Sequence, residues 1–216
     1  SGKEMEKVVE RNPVIEKKSV NNIMIALYAF VVISFFITIV DIIIRFPLQS
    51  EMIDYNDIQA IVINVLALLI QIFFFAYGFV NAIRGMLSPK RMGAVIVAFF
   101  AATCISGTGN MVINSNVQIV LWWIVLIIPN IVGAVATFAY FVSGKKSKKY
   151  SIMIYLVTIW GMFRIIYSNY NLIVHANQYL SMNSTVRLVL EIAIHCLVIY
   201  QTYVLWIKRQ NAIDIS

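Results

Sequence analysis

Six uninterrupted apolar runs leave this chain few architectures. They occupy residues 22–44, 58–83, 92–113, 117–142, 151–172 and 186–207. At a helical rise of 1.5 Å per residue, about 20 apolar residues cross the roughly 30 Å hydrocarbon core of a bilayer. A transmembrane β-barrel would instead show strands of about ten residues alternating apolar and polar side chains, and these runs do not alternate. Composition supports the same conclusion: 61% of residues are hydrophobic and 12% charged, with a mean hydropathy of +0.83. Soluble domains carry about 25% charged residues, and a water-soluble core of this size has no room for so much apolar side chain. Lipid must be the solvent for most of the surface.

The expected fold is therefore all-α, a polytopic transmembrane bundle of about six spans. It divides into an N-terminal segment 1–21, a membrane domain 22–207 and a C-terminal tail 208–216. The first 20 residues mix Glu and Lys, and the first apolar run exceeds the length of a signal core, so no cleaved leader is expected. Spans three and four are joined only by Asn114, Ser115 and Asn116, which predicts an antiparallel hairpin. A re-entrant fourth span broken at Pro129-Asn130 is the alternative.

Of the 17 Lys and Arg residues, all but Arg45, Arg164 and Arg187 fall at alternate connectors. Those connectors are the N-terminal segment, 84–91, 145–149 and the C-terminal tail. The positive-inside rule assigns this set to the cytoplasm and so predicts both termini inside. The Ile- and Asn-rich composition points to an AT-rich genome and to a bacterial plasma membrane. The net charge of +7 is then topological, and nucleic acid is not an expected partner, since no basic face carries stacking aromatics. Cys104 and Cys196 lie inside spans, where cysteine behaves as a small hydrophobe.

Polar groups at membrane depth are costly unless paired or hydrated, so they are the candidates for function. Arg164 lies about 20 Å from the basic end of span five, and Glu191 about 8 Å into span six from the opposite end. Their shared depth predicts an ion pair, either functional or merely locking two helices. Arg187, Glu191 and His195 recur every four residues, followed by Val198 and Thr202, and so share a helix face. Asn64, Gln71 and Gly78 of span two form another polar line. In span three Ala94, Ala98, Ala102, Ser106 and Asn110 make a small-residue ladder suited to close packing. Pro129 should free a backbone carbonyl in span four, with Asn130 the expected donor. Asp41 and Arg45 end span one as a local pair.

Asp41, Asn64, Asn110, Arg164, Tyr167, Asn169, Glu191 and His195 all fall in the half of the membrane away from the termini, or at its midplane. If these faces point inward they define a solute site, with Arg164, Glu191, His195, Asn64, Asn110, Tyr167 and Asn169 as its expected binding residues. Glu191 and His195 lack an evident third metal ligand, and the glycines at 107 and 109 follow no strand, so neither metal nor nucleotide cofactor is expected.

No catalytic signature is present: no His-Glu-x-x-His, no Gly-x-Ser-x-Gly, no paired intramembrane aspartates. A substrate-binding or transport subunit fits better. In size and topology the chain resembles the compact substrate-binding subunits of bacterial energy-coupling-factor transporters, a likeness of architecture without a shared motif. The basic loop with Lys145, Lys146, Lys148 and Lys149 is suited to dock another membrane or cytoplasmic subunit, or anionic lipid heads. The alternatives are a membrane partner protein (a sensor, immunity or assembly subunit whose acidic 46–57 loop meets a cationic peptide) and an intramembrane enzyme.

Overall fold

The computed structural model describes residues 13–49, 55–113, 119–170, 174 and 182–214. Its elements are six long helices and no strand among the described residues: α1 Pro13–Gln49, α2 Tyr55–Ile83, α3 Pro89–Ile113, α4 Ile119–Val142, α5 Lys148–Ser168 and α6 Met182–Asp214. Each contains an apolar stretch of membrane-crossing length. The six expected spans are present, their apolar stretches ending within about one turn of the expected positions, while α1 and α6 themselves run further, from Pro13 and to Asp214.

The short connections are written in the local sequence. Helix α2 ends at Gly85, whose φ of +66° places it in the left-handed region that glycine reaches without a steric cost. Met86 N–H then closes onto the Asn81 carbonyl at 2.9 Å. Helix α3 starts from Ser88, whose Oγ accepts the Arg91 N–H, with Pro89 in the first turn where its missing donor does no harm. Gly144, at φ +67°, ends α4 in the same manner as Gly85 ends α2.

Each helix packs on its neighbours in sequence, and α6 closes the ring on α1. Helices α3 and α6 meet across the middle. They are also the most enclosed, with 56% and 50% of their apolar windows buried against 17–33% for the other four. Along α1 the buried residues Met24, Tyr28, Val31, Phe35 and Thr38 alternate in steps of four and three, the seam a helix uses to pack lengthwise against others. The outward surface is as apolar as the interior: Phe36, Phe73, Val120 and Leu156 are exposed. Helix association here rests on close packing and interhelical polar contacts, because lipid tails satisfy apolar faces equally well. One such contact seals the ring. Tyr28 on α1 donates a hydrogen bond of 2.6 Å to Gln201 Oε1 on α6, and both side chains are buried.

Helix α4 is not uniform. It widens to a π-helix over Trp123–Ile127, just before Pro129, and again over Phe138–Val142. Pro129 cannot donate to the Val125 carbonyl. That carbonyl instead accepts the indole N–H of Trp160 from α5 at 2.8 Å. Asn130, the expected donor, bonds its amide to the Leu126 carbonyl at 2.7 Å. The chain runs through Pro129 as one rod, in place of the re-entrant alternative.

Candidate functional site

Polar side chains converge where α3, α5 and α6 meet, toward the end of the bundle remote from the termini. The basic end is fixed by contacts: Tyr200 on α6 reaches the Val20 carbonyl on α1, and Arg209 reaches the Lys145 carbonyl. At the other end, α6 carries Arg187 and Glu191 exposed, then His195, Val198 and Thr202 buried. Steps of four, four, three and four residues make them a single stripe that passes from the open surface into the core.

His195 is 4% exposed. Its Nδ1 lies 2.6 Å from the Glu191 carbonyl. A carbonyl only accepts, so Nδ1 carries the proton and a neutral ring presents Nε2 as an acceptor. The ring stands edge-on to Phe99 of α3, with centroids 5.1 Å apart and planes at 83°. On its other side is Gly161 of α5, where an added Cβ would lie 2.7 Å from Nε2. A glycine at that position is what lets the imidazole sit between α3 and α5.

One turn beyond Gly161, Arg164 is half-buried, and its Nε is buried with no hydrogen-bond partner among the described residues. The guanidinium lies within electrostatic range of Glu191 and His195 on α6 and of Cys104 on α3. Glu191 also feels Arg187, one turn nearer the open end. The two charges expected to pair are thus neighbours, while no hydrogen bond joins them among the described residues. Cys104 adds a weak sulfur contact, Sγ to the Ile127 carbonyl at 3.9 Å. It therefore touches the π segment of α4, which Trp160 holds from the α5 side. Such one-turn π bulges recur beside functional sites.

A void opens next to this cluster. A crevice of about 210 Å³ between α1 and α6 is lined by Ile37, Thr38, Val40, Asp41, Ile44, Val186 and Arg187. It is smaller than the roughly 300–1,000 Å³ of drug-sized sites, and its walls are mostly apolar with two opposite charges. Arg187 belongs both to the crevice and to the surroundings of Glu191. Charged groups thus run from the crevice to Arg164.

The remaining expected binding residues lie elsewhere. Asn64 accepts the Ser106 hydroxyl at 2.9 Å and ties α2 to α3. Tyr167 is 75% exposed and points away from the bundle. Asn169 turns its amide back onto the Ile165 carbonyl at 2.9 Å, closing α5. Asn110 lies in α3, and its side chain is outside the described residues. The expected 46–57 loop is shorter than read, since 46–49 continue α1 and 55–57 begin α2, while 50–54 lie outside the described residues. The Asp41–Arg45 pair turns on Arg45, whose side chain is outside them as well. Sequence reasoning missed Cys104, Gly161 and Trp160. Gly161 had one readable signal: it is the one glycine of its span, three residues from the arginine.

No protein-family model, curated protein or solved structure matches the chain. The class is set by its own architecture. Six helices long and apolar enough to cross a bilayer define a polytopic α-helical integral membrane protein.

Proposed function

We propose that this integral membrane protein is a solute-binding or transport subunit whose site lies at the end of the bundle remote from its termini. Arg164 is its anchoring charge. One observation carries the reading: a half-buried guanidinium keeps a buried N–H without a partner among the described residues, while Cys104, Glu191 and His195 lie within electrostatic range on two other helices. Buried donors are normally satisfied, and an exception asks for an explanation. A solute carboxylate or phosphate taking that N–H supplies one, since arginine offers such groups a planar array of donors. Glu191, exposed beside it, would meet an amine on the same solute. The charges of Asp41 and Arg187 line the neighbouring crevice, which supports entry from that side. The same reading places the site in the outer half of a bacterial plasma membrane, with both termini cytoplasmic, on the distribution of Lys and Arg.

The test is thermal unfolding of the detergent-solubilised protein against a panel of amino acids, small carboxylates and phosphate esters. A ligand at one hundred times its Kd stabilises the fold by about 2.7 kcal/mol. At least one probe should raise the Tm of the wild type, and Arg164→Gln should remove that response while retaining the fold. If the shift survives in the variant, Arg164 is not the anchor. If no probe acts and Arg164→Gln, Glu191→Gln and their double variant unfold as a coupled pair, the charges lock α5 to α6 and the solute-binding reading is lost.

A further inference from the structure

The basic end carries a second, independent feature. Residues 143–147 connect the span ending at Val142 to the span beginning at Lys148. Lys145, Lys146, Lys148 and Lys149 are all exposed on it or on the first turn of α5. Neither the connection nor that first turn contains an acidic residue. The patch is held in shape from below. Arg209 of α6 lies over the Tyr140 ring at 4.3 Å and donates to the Lys145 carbonyl at 3.4 Å. The ammonium groups of Lys145 and Lys149 stand 5.8 and 5.1 Å from the centre of one ring, Tyr150, and that of Lys148 is 5.8 Å from Trp206.

The α2–α3 connection is also basic, yet it differs in one respect. There Arg91 is committed to its own turn, donating to Asn81 Oδ1 at 2.9 Å and to the Met86 carbonyl at 2.6 Å. The ammonium groups of Lys145, Lys148 and Lys149 meet only ring faces among the described residues, and Lys146 is exposed with no ring beside it. A ring face attracts and orients a cation, but it has no net charge, so the positive field above the patch is undiminished. Tyrosine and tryptophan at span ends sit at headgroup level. Cations over those rings are therefore fixed at headgroup level too, and so short a connection cannot carry them far into water.

We infer that the α4–α5 turn, with the end of α6, is a binding site for anionic phospholipid headgroups, whose phosphates meet Lys145, Lys146, Lys148 and Lys149. Depth and charge together favour lipid over a soluble partner: the cations lie in the plane of the phosphates, and the connection projects no folded mass for a protein to grip. The site stands whether or not the opposite end binds a solute.

Delipidated, detergent-solubilised full-length protein would be titrated with phosphatidylglycerol, phosphatidylcholine or inorganic phosphate while its Tm is followed. Phosphatidylglycerol should raise the Tm well above the phosphatidylcholine response, and the preference should fade at high salt. Lys146→Gln/Lys149→Gln should raise the half-saturating phosphatidylglycerol concentration about thirtyfold, in line with the surface attraction of two basic residues. Arg84→Gln/Lys90→Gln removes the same net charge and should change it little. Equal responses to the two lipids would overturn the proposal. So would equal weakening by both double variants, or inorganic phosphate matching phosphatidylglycerol at the same concentration. Should the lysine double variant fail to fold, Lys146→Gln alone, which touches no ring, should still weaken the preference. An unchanged preference in that variant overturns the proposal.

Discussion

Gly161 decides whether His195 can lie between α3 and α5. A methyl there would stand 2.7 Å from Nε2, and the other side of the imidazole is already closed by Phe99. Gly161→Ala should therefore lower stability by about 1–3 kcal/mol, the usual cost of overpacking. His195→Ala should also destabilise, by leaving a cavity. In the double variant the new methyl occupies part of the vacated space, so the combined cost should fall below the sum of the two. Denaturant unfolding of the solubilised protein measures this coupling, and strict additivity would show that the two residues do not meet. Arg164, Glu191 and His195 were legible in the sequence because ionisable groups are conspicuous in an apolar run. Cys104 and Gly161 were not, since small residues in a span read first as packing. Tyr167 and Asn169 share the depth of the cluster, but depth does not fix direction. One faces outward and the other caps its own helix.

At the level of elements, all six spans could be read from hydropathy, whereas the turns at Gly85, Ser88 and Gly144 rest on local signals that hydropathy does not contain. The small-residue ladder of α3 also packs as expected, with Ala98 and Ala102 buried. The two π segments of α4 could not be read. A proline announces that one carbonyl loses its donor, but which helix replaces the donor depends on the neighbour. The structure assigns that role to Trp160, whose indole N–H reaches Val125 across the α4–α5 interface. Trp160→Phe keeps an aromatic ring and orphans the carbonyl, which should cost about 1–3 kcal/mol. Pro129→Ala returns an N–H four residues after Val125. In that background the α4 ladder can close on itself, and Trp160→Phe should cost clearly less. Equal costs in both backgrounds, measured by unfolding, would mean that the indole contributes by packing alone.

For the whole molecule, the alternation of basic connectors foretold an even number of spans, and the described residues hold six. Hydropathy contains nothing of the ring closure. Its polar seal, Tyr28 to Gln201, joins two residues 173 positions apart, and nothing in an apolar profile says that the two meet. Contacts between Val20 and Tyr200 and between Lys145 and Arg209 then place the two terminal regions and the α4–α5 turn at one end. Which side of a membrane that end faces is a separate question, and the proposed orientation rests on the cost of moving charge. Described cations at that end include Lys145, Lys146, Lys148, Lys149 and Arg209, and translocating short loops so rich in lysine is disfavoured. In a Cys104→Ala/Cys196→Ala background, Ser147→Cys should react with an impermeant maleimide only after the cells are opened. Asn183→Cys, separated from it by the single span α5, should react in intact cells. A reversed pattern would invert the protein and move the Arg164 cluster to the inner leaflet. Reaction at both positions in intact cells would mean that α5 does not cross, and the six-span topology would fail with it.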